Sequence, residues 1–169
     1  MNKTIFGLRT GLALILILVV AAAAPGGFEV SVEIPPSTSH LKNAQLIVRA
    51  VGCHEPAKAD ISATAEGVVN GKRQSIRLKM RSVSAGVYAI ERQWPSSGAW
   101  AIAITGSYRG QIRSALVQVG ADGAVATKIV RGGKSELALV KVRGKLPKAT
   151  IEAALASADP IVKSGISAR

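Results

Sequence analysis

The most conspicuous pair of metal-ligating side chains in the chain is Cys53-His54, inside Val51-Gly52-Cys53-His54-Glu55-Pro56. The 169 residues hold one cysteine, two histidines and two methionines. A single cysteine cannot close an internal disulfide, so its thiol stays free, crosslinks two chains or binds a metal. Thiolate and imidazole together suit Cu(I), Cu(II) or Zn(II). Neighbouring residues of a regular strand point to opposite faces, so both reach one ion only in a bent loop. Gly52 and Pro56 supply such a bend, and His40 and Met80 are the further ligands on offer. No cofactor is expected; copper, held by Cys53, His54 and either Met80 or His40, is the alternative. The plainer reading is Cys53 packed as a small hydrophobe and His54 solvated. One Cys and two His exclude a zinc finger and a disulfide framework.

A second constellation is basic. Lys72, Arg73, Arg77, Lys79 and Arg81 fall on one expected hairpin, the last three on its wet side. Alternate strand side chains stand about 6.6 Å apart, a spacing that tracks the charges of an anionic polymer. The competing reading is a solvated edge guarded against aggregation, for which Lys and Arg are the usual device. Trp94 and Trp100 offer either an exposed ligand platform or packing at a sandwich end. Aromatics make up only 4% of the chain, which favours packing for them and for Tyr88.

Hydrolytic chemistry has little to stand on. Ser39-His40-Leu41-Lys42 spells S-x-x-K, but the companion motifs of penicillin-binding enzymes are missing. G-x-S-x-G, H-E-x-x-H, phosphate-loop and dinucleotide motifs are all absent from the sequence. Nothing points to a Ser/His/Asp triad on His40 or His54. The expectation is a protein that is not an enzyme.

The elements that position these residues read as strands. Phe28, Val30, Val32 and Ile34 alternate with polar residues until Pro35-Pro36. Leu46 to Val51 follows, then Ile61, Ala63 and Ala65 with polar residues between them. Asn70-Gly71 suits both central positions of a type I′ turn. Ile76, Leu78 and Met80 then face one way while Ser75, Arg77, Lys79 and Arg81 face the other, so one face packs and one is wet. Val87 to Trp94 comes after Ala85-Gly86. Trp100, Ile102 and Ile104 alternate with Ala99, Ala101 and Ala103. That strand has a bulky face and a small face, as a central strand buried on both sides would. Gln111 to Val119 completes about seven strands, with turn signals every 8–12 residues. The pattern predicts an all-β, immunoglobulin-like antiparallel sandwich over residues 24–120.

Within it, Gly86-Val87-Tyr88-Ala89-Ile90, Trp94-Pro95 and Gly98-Ala99-Trp100-Ala101-Ile102-Ala103-Ile104 read as "G-x-Y, strand, turn, G-x-W, strand". This resembles the C-terminal half of the small exported Ig-like domains of the YtkA/FixH type. The resemblance spans about Leu46 to Gly120 and implies a fold and a compartment. FixH-type proteins are linked to copper delivery during oxidase assembly; no specific metal motif of theirs is reproduced here.

The termini add an address and a charge. Lys3 and Arg9 precede an uncharged run from Gly11 to Ala24 that ends in four alanines. This is the order of a Sec-type signal peptide over residues 1–23, with cleavage after Ala23. A membrane span needs roughly 20 apolar residues, so an uncleaved anchor is the lesser reading and the only expected tie to a membrane. Export places the chain in a periplasm or outside the cell. Removing Lys3 and Arg9 from a net charge of +12 leaves about +10. An exported basic chain without an RNA-binding aromatic signature excludes nucleic acid as the expected partner. It points instead to an acidic envelope protein or an anionic polymer. Residues 121–148 read as a basic β extension or a hairpin around Gly132-Gly133, since 128–148 carry a run of Lys and Arg against Glu136 alone. Residues 149–169 read as a short helix, stopped by Asp159-Pro160, and a flexible tail.

Overall fold

Period-two alternation becomes two sheets closed over one apolar layer. The computed structural model describes residues 27–36, 41, 43–129 and 135–158. The expected leader, Ser39, His40, Lys42 and the tail from Asp159 lie outside the described residues. In chain order the elements are β1 (Glu29–Glu33), β2 (Ala44–Val51), a 3-10 turn (Pro56–Lys58), β3 (Asp60–Val69), β4 (Lys72–Arg77), β5 (Met80–Ser84), β6 (Val87–Glu91), β7 (Ala99–Tyr108), β8 (Gln111–Gln118), β9 (Thr127–Ile129), β10 (Ser135–Leu137), β11 (Leu139–Arg143) and α1 (Lys148–Ala158). One sheet has the order β1-β2-β6-β5 and the other β11-β8-β7-β3-β4; β9 and β10 pair separately. All pairings are antiparallel.

The inner faces follow the alternation. Val30, Val32, Leu46, Val48 and Ile90 of the first sheet meet Ile61, Ala63, Ala65, Trp100, Ile102, Ile104, Ala115 and Val117 of the second. Ile34 departs from the expected alternation: it lies beyond the end of β1 and is 44% exposed. The two-residue connections at Asn70-Gly71 and Arg109-Gly110 both carry positive φ at each residue, the backbone of a type I′ turn.

β7 is the central strand of its sheet and is covered on both faces. Trp100, Ile102 and Ile104 enter the sandwich core. The small face, Ala101 and Ala103, lies under α1, where Ala154 and Leu155 are buried and Ile151 packs beside them with Leu116. Ile151, Ala154 and Leu155 have the i, i+3, i+4 spacing of one helical stripe. Burying Leu155 contributes about 1.5–3 kcal/mol. Two polar links hold the helix further: Gln118 Nε2 donates to Ser157 Oγ at 2.9 Å, and Arg73 pairs with Glu152 at 2.7 Å.

The run 72–84 is not one strand. β4 pairs with β3, and β5 pairs with β6 in the opposite sheet. Leu78 and Lys79 carry the chain across. Ile76, Leu78 and Met80 nevertheless all pack on the main core, so the inward alternation continues while the hydrogen-bond partners change. Gln93 serves the crossing in place of a strand: its Oε1 accepts from Lys79 N and its Nε2 donates to Lys79 O, each at 2.8 Å.

The segment after Gly120 also differs from the expected appendage. β9 and β10 pair antiparallel, Ile129 opposite Ser135, while Gly132-Gly133 lies outside the described residues; β11 adds to β8 as an edge strand of the main sheet. The helix then folds back over that sheet. Ala138 splits the duties: its N–H donates to Ala126 O and its carbonyl accepts from Gln118 N.

Two substitutions test this packing. A Cβ at Gly67 would overlap the Trp100 indole, so Gly67→Ala is expected to lower stability by about 1–3 kcal/mol, read by chemical denaturation. Tyr108 Oη is buried without a hydrogen-bond partner among the described residues. Tyr108→Phe is therefore expected to raise stability by about 1 kcal/mol; a loss would mean that the hydroxyl is satisfied by water.

Candidate functional site

The Cys53 loop is bent, as the sequence suggested, by Gly52 at φ +69° and the turn at Pro56–Lys58. Cys53 is half-buried against the main core and His54 is exposed. Met80 does not join them. It shares a rung with Ile90, which pairs with Leu46, whereas Cys53 follows Val51. Five residue steps along the strand separate Leu46 from Val51, about 17 Å. Met80 is a core residue at the other end of the sheet. Among the described residues no three His, Cys, Asp or Glu side chains form a group able to hold a metal.

What does gather beside His54 is an ion-pair cluster. Glu55 pairs with Lys58 at 2.6 Å and with Arg109 at 3.3 Å. Arg109 also lies over the Tyr108 ring, 5.3 Å from its centroid. The hydrogen bond from Lys58 holds the Glu55 carboxyl below its ordinary value; desolvation opposes this and Arg109 reinforces it.

The basic row of β4 and β5 is divided. Lys72, Arg73 and Arg77 belong to the five-stranded sheet, Lys79 to the crossing and Arg81 to the four-stranded sheet. All five are exposed. Arg73 is taken up by Glu66 at 3.4 Å and by Glu152, and Arg81 lies 3.8 Å from Glu91. Lys72, Arg77 and Lys79 keep no carboxylate partner among the described residues. The single charged hairpin face expected from the alternation is thus two edges of opposite sheets, partly neutralised.

The aromatics are not a platform. Trp94 and Trp100 are 3% and 1% exposed. Their indole N–H groups donate to Gly123 O at 3.0 Å and Ser97 O at 2.8 Å. Tyr88 is half-buried against the same core. The two tryptophans each fasten a loop by these bonds.

A concavity lies elsewhere, between β1 and the β8–β11 edge. Its volume is about 690 Å³. Phe28, Val30 and Val142 supply apolar lining; Gln111, Arg113, Lys141 and Arg143 supply polar lining. Arg113 and Arg143 stand directly opposite in register. Gly144 N donates to Ile112 O, so theirs is a non-hydrogen-bonded pair, in which side chains stand closest, with Cα atoms about 4.5 Å apart. Like charges so placed repel. Among the described residues Arg113 reaches the neutral acceptors Ile112 O at 3.0 Å and Gln111 Oε1 at 3.3 Å and no carboxylate. The one carboxylate in the lining, Glu29, pairs with Lys141 at 3.5 Å.

These groove residues were missed as a site in the sequence. Arg113 and Arg143 are far apart in the chain, and only strand pairing joins them. The basic run over 128–148 was the available trace. Comparison with protein-family models, curated proteins and solved structures finds no match.

The Glu55 cluster makes a pH prediction. A carboxyl whose pKa is lowered by folding stabilises the fold above its unfolded pKa, and this is lost as pH falls through the lowered value. Glu55→Gln is expected to reduce Tm slightly at neutral pH. The difference from the parent should close in strong acid. A gap that widened there would contradict the assignment.

Proposed function

We propose that the chain is an exported, non-enzymatic interaction module of the cell envelope, built on an Ig-like sandwich, that binds an acidic protein or anionic polymer. The strand orders support the Ig-like reading. With β1, β2, β5 and β6 as A, B, D and E, and β3, β7 and β8 as C, F and G, the sheets follow the ABED and CFG arrangement, with β4 beside C. The G-x-Y and G-x-W segments resembling YtkA/FixH domains fit the same reading, and the leader supports export.

The observation that carries the binding reading is the distribution of unneutralised charge. Ion pairs among the described residues take up Arg49, Lys58, Arg73, Arg81, Arg109 and Lys141. Arg113, Arg143, Lys145 and Lys148 have no carboxylate partner there and follow one another along the β8–β11 edge into α1. The binding face is therefore assigned to this edge, in preference to the divided β4–β5 row. Copper handling, the other reading, rests on the Cys53-His54 bend alone.

Poly-L-glutamate is a suitable probe. Lys145→Glu with Lys148→Glu is expected to weaken its binding about tenfold, a loss of 1.4 kcal/mol. Lys72→Glu with Lys79→Glu should weaken it less. Binding to the parent should fall steeply as salt rises, because the Debye length is only about 8 Å at physiological ionic strength. Binding that ignores both salt and the Lys145→Glu, Lys148→Glu variant would reject the reading.

A further inference from the structure

We infer that the groove between β1 and the β8–β11 edge is a binding site for a phosphomonoester, whose doubly charged phosphoryl group is held between Arg113 and Arg143. The inference rests on the reading of this chain as an anion binder and names the group that one part of its surface takes.

The first support is charge. Arg113, Lys141 and Arg143 line the groove with Glu29 as the only acid among the described residues, and Lys141 already pairs with Glu29. Arg113 and Arg143 are left as direct partners across one rung, without a carboxylate partner among the described residues. A monocarboxylate would neutralise one of them. A phosphomonoester carries about −1.5 to −2 at neutral pH and offers three acceptor oxygens. Paired guanidinium groups match such an oxyanion by their planar, bidentate geometry.

The second support is where the pair points. Along β8, Arg113 shares a face with Ala115 and Val117, which enter the sandwich core. Along β11, Arg143 and Lys141 share a face with Leu139, which packs on that core. The two arginines thus occupy the inner face of the sheet, at the corner where the sandwich opens. Phe28 and Val30 lie beside them, both 2% exposed. An ester with an apolar body would meet apolar lining and paired cations together.

The third support is the entrance. Gly27 faces the pair without a side chain. A Cβ there would come within 3.1 Å of Gln111 Oε1 and 3.6 Å of Arg113 Nη2. A large residue at this position would fill the space the phosphoryl group needs.

The test is calorimetric titration of the purified full chain with phenyl phosphate, beside benzoate and poly-L-glutamate. Phenyl phosphate is expected to bind one to one and at least tenfold more tightly than benzoate. Arg113→Gln, Arg143→Gln and Gly27→Phe should each abolish that binding. Gly27→Phe should leave poly-L-glutamate binding in place, since it removes no charge. The arginine variants should melt no lower than the parent, because each removes a like-charge contact; Arg143, the exposed member, covers the case in which Arg113→Gln fails to fold. Flotation with vesicles of phosphatidylcholine and phosphatidic acid separates the two sources of the group. Flotation lost in both arginine variants assigns a lipid headgroup, and flotation unaffected by them, or none, assigns a soluble ester. Benzoate binding as tightly as phenyl phosphate overturns the inference, as does phenyl phosphate binding indifferent to the variants. Failure of phenyl phosphate with retained poly-L-glutamate binding overturns the groove alone. Failure of both overturns the anion-binding reading with it.

Discussion

Everything in this fold depends on β7 having no wet face. A central strand of a two-layer sandwich ordinarily turns one face to water. Here the outer face is lined by Ala101 and Ala103, which are too small to cover themselves and small enough to let a helix approach. α1 closes that face, and the helix reaches it only because β11 first extends the sheet and Gly144, at φ +107°, turns the chain back. The inner face sets the opposite demand. Trp100 fills the core so completely that its neighbour across the β3–β7 pairing must be Gly67. The chain after Gly120 is therefore part of the packing of the strand that precedes it.

Much of this was legible locally. The alternation of Trp100, Ile102 and Ile104 with three alanines announced a strand buried on both sides. Asn70-Gly71 announced its turn, because few residue pairs tolerate positive φ twice. What the sequence could not show was which neighbour each strand takes. The run from Ile76 to Met80 keeps its inward pattern across the Leu78-Lys79 crossing, so the change of sheet leaves no mark in the periodicity. A period-two pattern reports which side faces the core; it does not report which edge supplies the hydrogen bonds. That is why one basic hairpin was expected where there are two edges.

The candidate site was less legible for the same reason. Cys53-His54 is conspicuous because it is contiguous, and contiguity is easy to read. Its proposed partner Met80 was chosen by residue type, and the β2–β6–β5 register places it elsewhere. Arg113 and Arg143 are inconspicuous singly. They become a feature only through the pairing of β8 with β11, a contact between residues distant in the chain.

Edge protection and anion recognition use the same side chains, and their placement distinguishes them. Charges that guard an edge are most useful projecting into water, where they repel another strand without repelling each other. Lys72, Arg77 and Lys79 are placed in this way. Arg113 and Arg143 are placed differently: they stand opposite one another on the inner-face side of their strands, Arg113 half-buried and Arg143 at the exposed rim. Protection of β11 would need only one of them, and Lys141 with Arg143 already serves that edge. A second cation set against the first works against the fold unless a negative charge comes between them. The groove has room for such a group, and its only acid is engaged by Lys141. The repulsion between paired arginines is the same interaction that would favour a doubly charged ligand there.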